Sequence, residues 1–414
     1  MDDHSTLNRR QFLRRASAAA LVAPGLPYIL AACARNQQTE LAVTLGSPNA
    51  PKPLPVYDDN QAIGGGLPQE PGPLRLLTLP DYLPGSLIKG FEKEYGVTVE
   101  EVTFASPDEG LRKVASGKVP FDVYVALVDQ LPSLVGGKLV APLNHEHIPN
   151  LTNIWDTLQD PWYDPGSIYT VASVVGSFGI DWRTDMFDVD VAALANPWDA
   201  MWDPAAKDIV GFYDQFREAI AFSLFRNGEK DPNDPSDEAL SAAVEGLVNL
   251  INVNGARVTS DCGYVGLGEG RFGISHAFAG DAQYAQFSLP EGGDPSVFRF
   301  VWPPAATAGA VGGTVSSDMW AVGRSAESPV LAHLWINYIS GAEQAKAWYA
   351  AWGLQLPQKT LTPDRLVSEG IVPEYLVSQI LTPEDFDLGQ WILPLSQAKQ
   401  QRLIDAWTQV QRSG

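Results

Sequence analysis

Cysteine and basic side chains are the scarce components of this chain. Its 414 residues include two cysteines, Cys33 and Cys262, and 28 lysines and arginines against 49 aspartates and glutamates, for a net charge of −21. Binding to nucleic-acid phosphates needs clustered Lys and Arg, so the composition argues against a nucleic-acid partner. Stability has to come from a hydrophobic core, and a hydrophobic content of 45% is enough for two domains of ordinary size.

Long apolar runs are also missing after residue 33, where none reaches the roughly 20 residues that span a bilayer. The chain begins differently, with the basic and then apolar stretch NRRQFLRRASAAALVAPGLPYILAAC at 8–33. Arg9-Arg10-Gln11-Phe12-Leu13 resembles a twin-arginine export motif, and Leu30-Ala31-Ala32-Cys33 resembles a lipobox. We expect residues 1–32 to be a signal peptide and Cys33 to be the lipidated first residue of the mature chain. The alternative is an uncleaved helical anchor.

This leader predicts where the protein works. Because two or more acyl chains hold a protein firmly at a membrane, lipidated Cys33 would keep it in the periplasm or at the outer face of the cytoplasmic membrane. The twin-arginine route implies folding before export. Residues 1–32 hold four arginines and two aspartates, so their removal changes the net charge from −21 to −23. Such acidity is compatible with a cationic ligand, although it also serves solubility.

Residues 33–73 are rich in turn-forming residues. Within 36–73, twelve of 38 positions are Pro or Gly, and no period of two or 3.6 is sustained. This composition predicts a lipidated tether that holds the folded body away from the bilayer. The alternative is an arm that packs on the body through Leu54, Val56 and Tyr57.

From Leu74 onward, strand and helix patterns alternate. Strand patterns occupy 74–79, 97–104, 122–127, 273–279 and 314–322, and helical patterns occupy 84–95, 214–226, 237–251, 329–351 and 396–411. Such βα units predict an α/β fold with a mostly parallel sheet covered by helices. In sheets of this kind ligands bind beyond the carboxyl ends of the strands, which is where a site should be sought.

Acidic and aromatic side chains follow several of these strands. The candidates fall in four turns: Asp81 and Tyr82; Asp129; Asp214, Gln215 and Glu218; and Ser316, Asp318 and Trp320, which share one side of a strand. Helix capping and turn formation would explain most of these acids. Asp318 is different, because an acid inside an apolar strand is costly to bury unless a cation or a hydrogen-bond donor meets it.

From Leu74 to its C-terminus the chain resembles the extracellular solute-binding proteins of ABC importers, and most closely their spermidine/putrescine-binding branch. The similar stretches, in matching order, are LTLPDYLPGSLIKGFEKEYGVTV, FDVYVALVDQLPSLVGGKLVAPLN, GSFGIDWRTD, EGRFGISHAFAGDAQYA, VGGTVSSDMWAV and AWGLQLPQ. The resemblance implies the type II periplasmic-binding-protein fold, in which two α/β lobes close over a ligand cleft. We expect residues 74–175 with 316–358 to form lobe 1, and residues 176–315 with 359–414 to form lobe 2.

The ligand contacts of that family carry over unevenly. The resemblance places three of the family's acids on Asp81, Glu218 and Asp318, and a tyrosine on Tyr82. A further acid position of the family falls on Gln215, and Asp214 lies beside it. Its aromatic positions fall on Leu79, Phe278 and Ser316, and a tyrosine of the second turn falls on Asp129. The acids therefore largely persist while the aromatic box is thinned, and Trp320 could restore one wall.

The resemblance implies a lipid-anchored binding protein that captures a cationic amine such as spermidine or putrescine by lobe closure. It would deliver this solute to an ABC permease and needs no cofactor. A polyamine suits such a site, because its ammonium groups need carboxylates and its methylenes need apolar or aromatic walls. Other cationic solutes, such as quaternary amines or basic amino acids, stay open. A less favoured alternative is an exported hydrolase that uses Asp81 and Asp318.

A metal site is not favoured by the sequence. His145-Glu146-His147 has a spacing of two residues between its histidines, which differs from the helical His-x-x-x-His pair, and no third ligand lies nearby in sequence.

Overall fold

The computed structural model describes residues 43–80 and 82–413. The signal-peptide prediction, the lipidated Cys33 and the candidate ligand contact Asp81 lie outside the described residues.

The described residues alternate strands and helices along the chain. The strands are β1 (Leu74–Thr78), β2 (Val99–Thr103), β3 (Val123–Leu127), β4 (Val140–Ala141), β5 (Thr170–Arg183), β6 (Val210–Tyr213), β7 (Arg257–Thr259), β8 (Ile274–Phe278), β9 (Phe298–Val301), β10 (Thr314–Gly323) and β11 (Gln390–Trp391). The α-helices are α1 (Gly85–Tyr95), α2 (Pro107–Ser116), α3 (Leu131–Gly136), α4 (Asp156–Gln159), α5 (Phe216–Arg226), α6 (Asp237–Asn254), α7 (Asp281–Ala285), α8 (Pro303–Ala306), α9 (Pro329–Ile339), α10 (Ala342–Trp352), α11 (Pro363–Ser368), α12 (Pro383–Asp387) and α13 (Gln397–Gln411).

The sheet consists of two parallel groups joined by two long antiparallel strands. Its order is β2-β1-β3-β10-β5-β8-β6-β7, with β4 and β11 on β10 and β9 on β5. Strands β2, β1 and β3 are parallel, as are β8, β6 and β7. We call the group of β2, β1 and β3 the first half and the group of β8, β6 and β7 the second half. Strand β5 pairs with β10 through residues 170–177 and then with β8 through residues 178–182, so it passes from the first half to the second.

The first parallel group shows why these residues form a buried sheet. β1 (LRLLT) and β3 (VYVAL) are almost completely buried, as expected for parallel strands that are covered on both faces. Between them, α1 ends at Gly96, whose φ of 69° is the left-handed conformation that commonly terminates helices. The strand, helix and strand predicted from Leu74 to Leu127 are therefore confirmed.

Three hydrophobic clusters form the core of the described residues, and the smallest consists of Phe178, Tyr213, Cys262 and Phe272. Of the other two, the larger cluster includes β1, β3 and the buried side chains of α9 and α10, and the second surrounds α5 and α6. Leu361, Leu376 and Phe386 belong to the larger cluster, whereas Leu403 and Trp407 of α13 belong to the second. The predicted lobe limits stay a prediction, but residues 361–386 pack with the cluster that contains most of the first half.

The tether prediction is wrong for residues 43–73, which form an arm on the first half. Leu54 is 4% exposed, while Val56 is 47% exposed. The Tyr169 hydroxyl donates to the Pro55 carbonyl over 2.6 Å, and Asn60 Nδ2 donates to the Val140 carbonyl over 2.9 Å. Prolines keep the backbone of this segment extended, which leaves carbonyl groups such as that of Pro55 free to accept hydrogen bonds. Turns present polar side chains such as that of Asn60. A segment rich in proline and turn residues can therefore be a packed arm as well as a free linker.

The end of the arm completes a helix terminus. Both carboxylate oxygens of Glu70 accept backbone N–H groups, from Val330 and Leu331 at the start of α9, each over 2.9 Å. An anion at this position satisfies free donors and complements the helix dipole. Gln69 also donates to the Tyr95 carbonyl at the C-terminal end of α1. Because α1 begins just beyond the carboxyl end of β1, its own C-terminal end lies at the opposite edge of the sheet. The arm therefore lies away from the carboxyl ends of β1 and β3.

Membrane-spanning segments were also sought among residues 43–80 and 82–413. No helix there combines the length and the apolar character needed to cross a bilayer.

Candidate functional site

The candidate residues lie where two groups of parallel strands end. Tyr82 follows β1 and Asp129 follows β3 in the first half, whereas Gln215 follows β6 and Phe278 ends β8 in the second. Asp318 lies on β10, which connects to the first half through β3 and to the long crossing strand β5. The topology therefore brings the carboxyl ends of strands from both halves toward the two crossing strands, as expected for a ligand cleft.

Tyr82 and Asp318 form the best-defined contact of this site. The Tyr82 hydroxyl donates to Asp318 Oδ2 over 2.8 Å and lies 3.4 Å from the Ser173 hydroxyl on β5. Burial raises the pKa of the Asp318 carboxyl to about 6, and the hydrogen bond from Tyr82 opposes this rise. Burial and the neighbouring Asp318 raise the pKa of Tyr82 well above its usual range, so the phenol stays a donor. Asp318 thus meets the hydrogen-bond donor that its position in the strand requires.

Trp320 lies on the same side of β10 as Asp318 but does not form a wall of the cleft. Its side chain is completely buried, with its ring 6.0 Å from that of Tyr82 and 6.1 Å from that of Trp335. The helices α9 and α10 cover this part of the sheet. The prediction that Trp320 lines the cleft is therefore wrong, because the covering helices leave no part of its ring exposed. The Trp320 ring instead packs against the Tyr82 ring.

The second turn places a carboxylate opposite a cation of the other half. Asp129 is exposed in a short 3-10 helix, Val128–Gln130, after β3. Although its side chain reaches solvent, the protein around it raises its pKa, and the positive charge of Arg217 partly opposes this rise. Arg217 belongs to α5 in the second half, so the electrostatic interaction acts across the cleft.

The start of α5 contains one acid at the cleft and one directed elsewhere. Burial raises the pKa of the partly buried Glu218 to about 7, while Arg217 lowers it and Asp129 raises it. Asp214 instead accepts hydrogen bonds from Trp407 Nε1 over 3.2 Å and Gln411 Nε2 over 3.3 Å. Both donors lie on α13, so the expectation of a ligand contact from Asp214 is not supported by its position: the carboxylate ties α13 to β6. Gln215 is exposed beside it.

Arg217 is a charged residue of the site that the sequence did not reveal. Its guanidinium donates to the Leu393 carbonyl over 3.0 Å and to Asn233 Oδ1 over 2.8 Å. Burial lowers its pKa, whereas Glu218 and Asp129 raise it. The sequence carries no motif for this role, because the two partners lie 16 and 176 positions away.

Phe278 provides an aromatic surface at the end of β8. Its ring centroid is 3.7 Å from that of Phe178 on β5 and 5.5 Å from that of Tyr213 at the end of β6. Asp281 Oδ2 accepts from the Phe278 backbone N–H over 2.9 Å and from the Tyr213 hydroxyl over 2.6 Å. This bond fixes the turn that carries Phe278, and Asp281 is a second residue that sequence reasoning missed.

Ser316 is exposed on β10, where it pairs with Gly176 of β5. The register of β10 against β5 shifts between Ser317 and Met319, so the local period of two is interrupted next to Asp318. A bulge of this kind redirects a side chain and is common beside binding sites. Ser316 and Asp318 therefore both lie at the crossing strands, between the two halves.

A cavity among the described residues lies away from these strand ends. It has a volume of about 590 Å³ and is lined by residues within 182–192, 299–306 and 363–385, none of which is a candidate ligand contact. Its walls are mainly apolar, and the strand-end residues described above do not reach it. At the strand ends, in contrast, Asp129 of the first half raises the pKa of Glu218 in the second half.

In the part of the chain that the structure describes, no group of three or more His, Cys, Asp or Glu side chains is arranged to hold a metal ion. His145 Nε2 lies 2.8 Å from the Ser167 carbonyl and His147 Nε2 lies 3.1 Å from the Gly64 carbonyl. These histidines therefore bind backbone of the first half and of the arm.

Comparison with known proteins shows the family of this chain. Residues 86–364 match the model of the family described as bacterial extracellular solute-binding protein. A spermidine/putrescine-binding periplasmic protein of Salmonella typhimurium is 23% identical over 71% of this chain and 81% of its own length. A putrescine/cadaverine-binding protein of Pseudomonas aeruginosa is 20% identical over 81% of this chain and 93% of its own length.

A solved structure shows the same fold. The spermidine/putrescine ABC transporter substrate-binding protein of Streptococcus pneumoniae superposes with a TM-score of 0.68 at 19% identity, covering 82% of this chain and 98% of that one. The type II periplasmic-binding-protein fold predicted from the sequence is therefore confirmed. This chain belongs to the bacterial extracellular solute-binding protein family. Because this is a family of solute-binding proteins, the chain is a binding protein and not an enzyme.

Proposed function

We propose that this protein captures a small cationic amine between its two halves and delivers it to the membrane permease of an ABC importer. The observation that carries the proposal is the Asp318 carboxylate, which is held in an apolar strand by Tyr82. Among the described residues, no lysine or arginine forms an ion pair with it. A ligand ammonium would supply the missing positive charge, and a buried carboxylate gains most from such a partner.

The rest of the site matches the chemistry of an amine with an apolar body. Asp129 and Glu218 add carboxylates from different halves, and Phe278 adds aromatic surface. Hydrogen bonds to charged groups contribute about 1.5 to 3 kcal/mol each, and a desolvated cation over an aromatic face contributes about 2 kcal/mol. Three such hydrogen bonds and one aromatic contact sum to about 6.5 to 11 kcal/mol, a range that includes the roughly 8 kcal/mol of micromolar binding. Because the carboxylates belong to separate halves, a ligand that meets both favours the closed arrangement.

The names of the relatives support spermidine or putrescine as the amine. Asp81, which the resemblance places on a family acid, remains part of this proposal. Seven of the nine other predicted contacts remain as well, whereas Asp214 and Trp320 are left out because of their positions. The missing tryptophan walls at Leu79 and Ser316 keep other cations, such as quaternary amines and basic amino acids, as the second candidate class.

We also propose that the chain is exported by the twin-arginine route and anchored by lipid on Cys33. The motifs at residues 9–13 and 30–33 support this anchoring. Metabolic labelling with a fatty acid should mark the wild-type protein and leave Cys33→Ser unlabelled. Equal labelling of both proteins would contradict the anchor without affecting the ligand proposal.

Calorimetry tests the ligand directly. Residues 34–414 are titrated with putrescine, spermidine, glycine betaine and arginine, and we expect saturable binding of at least one amine. Asp318→Asn should weaken that binding at least tenfold, because it removes the charge but keeps the shape. Asp214→Asn is the matched control, since its carboxylate faces α13. Unchanged affinity in Asp318→Asn, or equal losses in both variants, would remove Asp318 from the site.

A further inference from the structure

Two glycine backbones from opposite halves of the molecule touch beside the site. Gly280 lies between β8 and α7 with a φ of 102°, and Gly353 ends α10 with a φ of 69°. A Cβ on Gly280 would lie 2.3 Å from the Gly353 carbonyl oxygen, and a Cβ on Gly353 would lie 2.8 Å from the Gly280 carbonyl oxygen. Neither distance is sterically possible, so both positions need the absence of a side chain as well as a positive φ.

Gly280 is joined rigidly to the aromatic surface of the second half. It lies two residues after Phe278, within the turn that Asp281 holds through the Phe278 N–H and the Tyr213 hydroxyl. A displacement of Gly280 would therefore move Phe278 with it.

Gly353 is joined in the same way to the Tyr82–Asp318 contact of the first half. Trp348 of α10 donates through Nε1 to the Tyr82 carbonyl over 2.9 Å, and the two rings lie 5.0 Å apart at a right angle. Beyond Gly353, the Val175 N–H of β5 donates to the Gln355 carbonyl over 2.7 Å. The end of α10 therefore has a fixed position relative to Tyr82.

We propose that Gly280 and Gly353 are positioning residues for ligand capture, whose backbone contact sets how closely Phe278 approaches Tyr82 and Asp318. This inference rests on the proposed binding function. The contact lies near the crossing strands, where a small separation between the two backbones becomes a larger opening at the rim of the cleft. A methyl group would need ordinary van der Waals distances of about 3.4 to 4 Å and would hold the halves apart.

The test compares Gly353→Ala with Gly96→Ala. Gly96 also ends a helix with a φ of 69°, but a Cβ there would meet no atom within 4 Å. Both substitutions place an alanine in the same left-handed conformation and carry the same backbone cost, so the difference between them reports the contact. Gly353→Asn and Gly96→Asn form a second pair, because Asn tolerates this conformation better.

Two measurements read out the effect. Pulsed electron spin resonance between labels on Lys93→Cys and Glu245→Cys, which are exposed on different halves, gives the separation of the halves. Calorimetry with putrescine and spermidine gives affinity. We expect Gly353→Ala to lengthen the label distance with and without amine and to weaken amine binding about tenfold, while Gly96→Ala changes neither quantity.

The outcomes separate this inference from the proposed function. If Gly353→Ala and Gly353→Asn show the label distances and affinities of their Gly96 counterparts, the inference is overturned even though the amine binds. If the wild-type protein binds neither amine, the proposed ligand class fails, and the label distance still decides whether the glycine contact limits the approach of the halves.

Discussion

The Tyr82 hydroxyl donates to Asp318 Oδ2 over 2.8 Å and thereby connects the turn after β1 to the crossing strand β10, 236 positions later in the chain. This bond favours the ionised carboxylate, because it stabilises negative charge on Asp318.

Tyr82→Phe should therefore weaken amine binding through Asp318. Without the donor, the pKa of Asp318 should rise further above about 6, so that less of the carboxylate is ionised near neutral pH. Removal of a hydrogen bond to a charged group corresponds to about 1.5 to 3 kcal/mol, or roughly a 10- to 100-fold loss of affinity. The loss should shrink as pH rises. Tyr169→Phe is the control, because that hydroxyl binds the Pro55 carbonyl in the arm. A loss of the same size at every pH would contradict the coupling.

Amine binding should also depend on pH in the wild-type protein. Burial raises the pKa of Asp318 to about 6 and that of Glu218 to about 7. A cationic ligand binds the ionised forms, so affinity should fall as the pH is lowered from about 8 to 5, and binding near pH 6.5 should release protons. Calorimetry in buffers of different ionisation enthalpy measures this release. Glu218→Gln should reduce it, whereas proton release that equals that of the wild type would show that Glu218 does not meet the ligand.

Local patterns were sufficient to predict the first parallel group. β1, α1 and β3 have an uninterrupted apolar run or a helical period and end at glycine or a polar turn, so their physical determinants are local. The 14-residue strand β5 was not predicted, because it is buried on both faces along both halves and has no alternation to detect. The helix Pro107–Ser116 was missed as well, although Ser106 caps it.

The site was less predictable than the fold, because its contacts join distant parts of the chain. Asp318 stood out through the cost of burying a charge, but its partner could not be read from spacing. In sequence Asp214 fits both an N-cap, which is the favoured interpretation, and a ligand contact, and only the position of α13 decides against the contact. Arg217 was overlooked because its partners, the Leu393 carbonyl and Asn233, come from other segments.

The arm of residues 43–73 should contribute to stability. Leu54→Ala removes a side chain that is 4% exposed and should lower the free energy of unfolding by about 2 to 4 kcal/mol. Val56→Ala is the matched control, two residues away and 47% exposed, and should change it by less than about 0.5 kcal/mol. Urea denaturation measures both values. Equal stability of the two variants would show that the arm docks without supporting the fold.

His276 should make the folded state sensitive to acid. Its ring is 1% exposed, neither nitrogen has a hydrogen-bond partner among the described residues, and it stacks on Phe178 with centroids 4.6 Å apart. Burial lowers its pKa to about 3, whereas a histidine in the unfolded chain titrates near 6.5. The unfolded state therefore binds a proton that the folded state rejects, and the contribution of His276 to stability is lost as the pH falls from about 6.5 toward 3.

Asp181 acts in the opposite direction within the same half. It is completely buried and its pKa is raised well above the usual range, so the folded state keeps a proton that the unfolded state loses above about pH 4. Its contribution grows as the pH falls, which partly masks that of His276 in the wild-type protein.

The comparison of His276→Phe with the wild type removes this background, because Asp181 is present in both. Phenylalanine suits a site lined by Phe178, Trp198 and Phe222. We expect the free energy of unfolding of the variant, minus that of the wild type, to increase by about 1.4 kcal/mol per unit of pH as the pH falls from 6 to 4. A difference that stays constant over this range would mean that His276 accepts a proton without unfolding, and that the apolar surroundings do not exclude its charged form.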